Sequence, residues 1–121
     1  MGDGPAVPVA IVRWEQVLDD LLDRTQRFPK AVRFTFSTRI DNHGLDILEE
    51  LVEARFASGR ALNTSLATVD RRLTRLRVLL RLAHKRRYLD TGGFEHVMRG
   101  VDEVGRMVGG WRRSVAERGR P

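Results

Sequence analysis

The sequence predicts an all-α fold, an antiparallel up-down-up-down four-helix bundle. Three observations carry this. Apolar residues recur at alternating spacings of three and four through four successive segments, and helix-breaking Gly, Pro and Ser fall at short intervals between them. No run of comparable length alternates with the period of two that a half-buried strand requires. Short connections make sequential helices antiparallel neighbours, so that topology follows from the turn lengths.

A leader bearing Gly and Pro, residues 1–9, precedes a first helix predicted over 10–26, with Ile11, Trp14, Leu18 and Leu21 on one face. Residues 27–29 break it. Pro29 fits the first turn of a second helix, where its missing N–H has no intrahelical partner to lose, and that helix is predicted to run to Ala57 before Ser58 and Gly59 end it. It carries two apolar faces, one of Phe36, Ile40, Ile47, Leu51 and Ala54, the other of Phe34, Leu45, Leu48, Val52 and Phe56. Its remaining sector is acidic, with Asp46, Glu49, Glu50 and Glu53.

The third helix, predicted over 61–88, has a core stripe of Leu62, Leu66, Val69, Leu73, Leu76, Leu80 and Ala83. Val78, Leu79 and Leu82 fall outside that stripe and leave one polar sector, which holds Thr74, Arg77, Arg81 and Lys85. Asp90 or Thr91 can cap a fourth helix beginning near Gly92, with Phe94, Val97, Val101, Val104, Val108, Trp111 and Val115 in heptad register. The bundle domain thus spans 10–116, and the tail 117–121 is expected to fray. Because helices two and three each carry more apolar arc than an isolated bundle covers, contact with another subunit is expected.

At 121 residues the chain is one domain, and zero cysteines exclude a disulfide framework, thiolate chemistry and cysteine-ligated zinc. No apolar run reaches the length of a membrane span and the start does not read as a signal peptide, so a cytoplasmic protein is expected. The net charge of +6 is unevenly placed: residues 1–60 hold 8 basic and 10 acidic side chains, residues 61–121 hold 14 and 6. That asymmetry suggests a polyanionic partner.

Sites for chemistry are sparse. His43, His84 and His96 sit on three different predicted helices with no i, i+4 pair and no Glu-x-x-His, which removes the di-metal carboxylate and zincin patterns. His43 reads as a structural histidine beside the core, His84 and His96 as surface residues. The glutamates of helix two have the spacing of a solvated stripe or an ion-pair ladder rather than of a general acid in a cleft. No phosphate-cradling loop or nucleophile elbow is present, so no catalytic residue, metal or cofactor is expected.

The basic residues are more informative. Arg71, Arg75, Arg77, Arg81, Lys85, Arg86 and Arg87 crowd the second half of helix three, and Arg77, Arg81 and Lys85 recur at i, i+4, i+8. They are candidate phosphate contacts; the competing reading pairs the row with the acidic stripe of helix two. With no base-reading element in sight, binding should lean on backbone charge and show little sequence preference. In helix four, Gly105, Gly109 and Gly110 each cost about 1 kcal/mol relative to alanine. Gly105 and Gly109 share a face, and a close helix crossing is the economical explanation. Together with Trp111 they are candidate packing residues.

The run Glu103-Val104-Gly105-Arg106-Met107-Val108-Gly109-Gly110-Trp111 is the most specific part of a resemblance. It is joined by Arg27-Phe28-Pro29-Lys30, by Leu45-Asp46-Ile47-Leu48-Glu49-Glu50-Leu51-Val52-Glu53-Ala54 and by Leu76-Arg77-Val78-Leu79-Leu80-Arg81-Leu82-Ala83. From Arg13 to Val115 the chain resembles the Avd-like family, which contains the accessory variability determinant of diversity-generating retroelements and is related to four-helix-bundle proteins of ribosomal-RNA intervening sequences. The resemblance implies a non-enzymatic bundle that assembles into a ring-like homo-oligomer, a pentamer. It also implies association with the retroelement reverse transcriptase and its RNA or DNA, in support of mutagenic cDNA synthesis. A structural scaffold of the intervening-sequence type, without nucleic-acid binding, is the alternative.

Overall fold

A computed structural model describes residues 7–118, and among these the ordered elements are all helical. Helix α1 spans Val9–Thr25, α2 Thr38–Phe56, α3 Gly59–Lys85 and α4 Thr91–Arg118. Each helix packs on two others, α1 on α2 and α4, α3 on α2 and α4, so the four form a square with one core. Ion pairs show the antiparallel register of α3 and α4: Arg77 reaches Asp102 and, further back along α3, Asp70 is reached by Arg112 further along α4.

The core is the set of faces that periodicity marks. Trp14, Leu21, Ile40, Ile47, Leu51, Leu66, Leu73, Leu76 and Leu80 are fully buried, as are Val69, Val97, Val101, Val104 and Val108. Each large aliphatic side chain so buried contributes about 1.5–3 kcal/mol relative to exposure. The Trp14 indole N–H, which burial would otherwise leave unsatisfied, donates to the Gly44 carbonyl at 2.9 Å. Gly44 and Gly100 let helices approach closely: a Cβ on Gly44 would fall 2.5 Å from Leu18 Cδ1, and one on Gly100 2.6 Å from Val17 Cγ2.

The connection before α2 departs from the continuous helix expected from Pro29 onward. Pro29 precedes a 3-10 turn, Lys30–Val32, followed by a π-helical turn, Arg33–Ser37, and regular α-helix begins at Thr38. A buried polar chain accounts for the detour. Ser37 Oγ donates to the Thr25 carbonyl at 3.2 Å, and Thr25 Oγ1 donates to Asp41 at 2.6 Å, tying the start of α2 to the end of α1. Burial raises the Asp41 pKa, an effect partly offset by the Thr25 bond. The π turn sends Phe36 inward, edge-on to Tyr88 at 5.2 Å, and leaves Phe34 85% exposed.

Other boundaries shift by a few residues. Ser58 and Gly59 begin α3 rather than merely ending α2, and α3 stops at Lys85 instead of reaching Tyr88. Its end is a Schellman turn, in which Tyr88 N–H donates to the Ala83 carbonyl and Arg87 N–H to the His84 carbonyl, both at 2.9 Å. Asp90 caps α4, its Oδ1 accepting from Gly93 N–H at 2.7 Å. The expected leader lies largely outside the described residues, although Val9 already belongs to α1. At the far end α4 takes in Glu117 and Arg118, and the rest of the expected frayed tail lies outside the described residues.

Candidate nucleic-acid interface

Helix α3 puts the predicted cations into three different situations. Arg77 is half-buried and its Nε donates to Asp102 Oδ1 at 2.9 Å, so it serves the α3–α4 contact. Arg81 and Lys85, one and two turns on, continue the row toward solvent and are exposed, with no acidic partner among the described residues. Arg71 and Arg75 lie on the outward side of the helix with Val78 and Leu82, which are 50% and 42% exposed. Among the described residues Arg71 bonds the neighbouring Thr68 hydroxyl, at 3.2 Å. Arg86 lies over the Tyr88 ring and donates to its hydroxyl at 3.2 Å. Arg87 is exposed and holds a φ of 66°, the left-handed position at which helix ends favour glycine.

Pairing of the basic helix with the acidic stripe occurs at one described place, Arg72 to Asp46 at 3.3 Å, outside the Arg77–Arg81–Lys85 row. Glu49 and Glu53 stay exposed on α2, beside Leu45, Val52 and Phe56, which are 41%, 41% and 77% exposed. The second apolar faces read from periodicity are therefore uncovered in part in the single chain: Leu48 and Leu79 pack against the core, while Leu45, Val52, Phe56, Val78 and Leu82 stay exposed.

The packing residues of α4 separate. A Cβ on Gly105 would come 2.7 Å from Arg77 Nη2, so this glycine makes room for the Arg77 side chain. Gly109 meets no other helix within 4 Å among the described residues; its near neighbour is Arg113, on its own helix. A backbone crossing at the Gly105/Gly109 pair is thus not what the single chain contains, and the close approaches are made at Gly44 and Gly100 instead. Trp111 is half-buried and lines, with Met107, Leu62, Ala54 and Pro8, a groove of about 600 Å³ at the end of the bundle where α2 meets α3.

The histidines do not converge. His84 stacks on Phe94 at 4.5 Å and bonds the Thr91 hydroxyl at 3.1 Å, while His96 lies 3.7 Å from Asp20. His43 is half-buried with an unpartnered Nδ1, and burial lowers its pKa; Asp46 opposes this, and Arg75, Arg72 and Arg39 add to it. Among the described residues no group of three His, Cys, Asp or Glu could hold a metal, and no helix is long and apolar enough to cross a membrane.

Sequence reasoning left out the cations of the first turn, Arg27, Lys30 and Arg33, all exposed. Their signal lies in topology: in an up-down bundle the first and third turns share an end, which places them with Arg86 and Arg87. No curated protein and no solved structure matches this chain. The family model described as bAvd-like matches residues 9–115, from the start of α1 to the last turn of α4, and the chain belongs to this family of Avd-type accessory proteins.

Proposed function

We propose that this protein is a non-catalytic accessory subunit of a diversity-generating retroelement reverse transcriptase, acting in the cytoplasm. In this role it binds RNA or DNA with little sequence preference and supports mutagenic cDNA synthesis. The observation that carries the reading is the set of exposed cations along α3, Arg71, Arg75, Arg81 and Lys85, none with an acidic partner among the described residues. At 1.5 Å rise per residue they cover a strip about 21 Å long, enough for several phosphates of one strand. Family membership supplies the retroelement context.

The working form is a homo-oligomer, a pentamer by resemblance to the family. Two uncovered surfaces support assembly: Leu45, Val52 and Phe56 set among Glu49 and Glu53 on α2, and Val78 and Leu82 set among Arg71 and Arg75 on α3. Their opposite charges suit a head-to-tail contact, which closes into a ring when the rotation permits. The same apolar residues between the cations favour the second reading, a scaffold whose basic face meets protein.

The test is a titration of labelled single-stranded RNA with the parent and with Arg81→Glu/Lys85→Glu; Arg75 is left intact because it borders the Val78/Leu82 face. Arg77 is left intact because its reversal would set a carboxylate against Asp102. Loss of binding at unchanged helicity and mass is expected. A double variant that binds as well as the parent would favour the scaffold.

A further inference from the structure

The end of the bundle formed by the first and third turns is built differently from the α3 strip. Tyr88 joins the two turns: its ring packs against Phe28 at 6.0 Å and Phe36 at 5.2 Å. This fixes Arg27, next to Phe28, and Arg87, next to Tyr88, across one cleft of about 440 Å³ whose lining also includes Arg24 and Asp90. Lys30 and Arg33 line the adjoining cavity with Asp41.

Cations outnumber carboxylates at this end. Asp20 is engaged by Arg24 at 2.8 Å, while Asp90 and Asp41, hydrogen-bonded to the Gly93 N–H and the Thr25 hydroxyl, and the exposed Asp23 offset part of the positive charge. Arg27, Lys30, Arg33, Arg86 and Arg87 are exposed without an ion-pair partner among the described residues. Arg87 adds an independent sign. A left-handed φ disfavours every side chain with a Cβ, and an arginine held there trades backbone ease for a guanidinium placed on the cleft.

We infer that this end is a second phosphate-binding site, in which Arg27 and Arg87 grip the sugar-phosphate backbone of a single nucleic-acid strand, flanked by Lys30, Arg33 and Arg86. Arg24, tied to Asp20, shapes the cleft wall. Arg27 and Arg87 lie at the opposite end of the bundle from the exposed Phe56, whereas Arg33 adjoins the exposed Phe34 and Arg86 follows Leu82 by one turn. In a ring it would recur around one rim, adding contacts for a strand already held elsewhere. The inference rests on the nucleic-acid-binding reading above and extends it to a separate surface.

The experiment compares the full chain with Arg27→Ala/Arg87→Gly, using labelled single-stranded RNA at several salt concentrations, with melting and mass measured alongside. Arg87→Gly relieves the left-handed strain, so the double variant should melt no lower than the parent while binding more weakly. Two lost phosphate contacts should flatten the slope of log K against log salt by about 1.4 and weaken binding at 0.1 M salt on the order of 20-fold. The Arg81→Glu/Lys85→Glu reversal of α3 runs in parallel. A double variant that binds with the parent's affinity and slope, while the α3 reversal fails to bind, overturns this site alone. A parent that does not bind RNA overturns both readings. A double variant that changes mass marks the end as a subunit contact and also overturns it.

Discussion

Gly100→Ala tests the packing of α1 on α4 because two effects of known sign oppose each other. Alanine in a helix interior is favoured over glycine by about 0.8–1.0 kcal/mol. Against this, the new Cβ would stand 2.6 Å from Val17 Cγ2, 3.1 Å from Cγ1 and 3.4 Å from Cβ. Val17 is 5% exposed and β-branched, so in a helix it has one strongly preferred rotamer and both its methyls crowd the site. Rotating it away is therefore expensive, and relief must come from separating the helices. Overpacking of that kind costs about 1–3 kcal/mol, which leaves a net destabilisation of about 1 kcal/mol, or a few degrees in melting temperature for a domain of this size. Gly109→Ala is the matched control, since its Cβ would meet only Arg113 at 3.6 Å and nothing opposes the gain in propensity. Urea unfolding followed by circular dichroism should show the midpoint falling for Gly100→Ala and rising for Gly109→Ala, at unchanged slope. A Gly100→Ala protein as stable as the parent would refute the reasoning.

Other expectations follow from the same geometry. Arg87→Gly alone should stabilise by about 1 kcal/mol, because it places the residue without a Cβ at the left-handed end of α3; a lower melting temperature would contradict this. Gly105→Ala should cost less than Gly100→Ala, since its obstacle is the far end of the flexible Arg77 side chain, and a double-mutant cycle with Arg77→Ala should show the coupling. His43, whose folded pKa lies below the usual 6.5, binds more protons when unfolded, so stability should decline as pH falls below about 6.5, and His43→Gln should flatten that decline in unfolding curves at pH 5 and 7. Phe56→Asp and Leu82→Asp should each lower the mass seen by light scattering without loss of helicity, and a parent that is monomeric at micromolar concentration would remove the assembly account.

The helices and their buried faces were legible because each apolar stripe repeats with the helical period, and Leu62 through Ala83 read correctly residue by residue. The π turn was not. Phe34 and Phe36 fit a regular helix on paper, and what displaces them is the Ser37–Thr25–Asp41 chain, made of small polar residues that carry no periodic signal. The α3 site was legible in composition but not in pairing. Arg77 looks like its neighbours Arg81 and Lys85 until α4 places Asp102 against it from 25 residues away. The glycines teach a similar lesson: Gly105 and Gly109 stand out by spacing, yet Gly44 and Gly100 make the tight contacts, because Leu18 and Val17 happen to face them.

The central claim, that this bundle holds nucleic acid through backbone charge, is tested most directly by the salt dependence of RNA binding. Labelled single strands of two unrelated sequences are titrated with the parent protein between 50 and 200 mM salt. The account predicts similar affinities for both sequences and a linear fall of log K with log salt, of about 0.7 for each phosphate neutralised. Affinity that does not change with salt, or that depends chiefly on sequence, would contradict it.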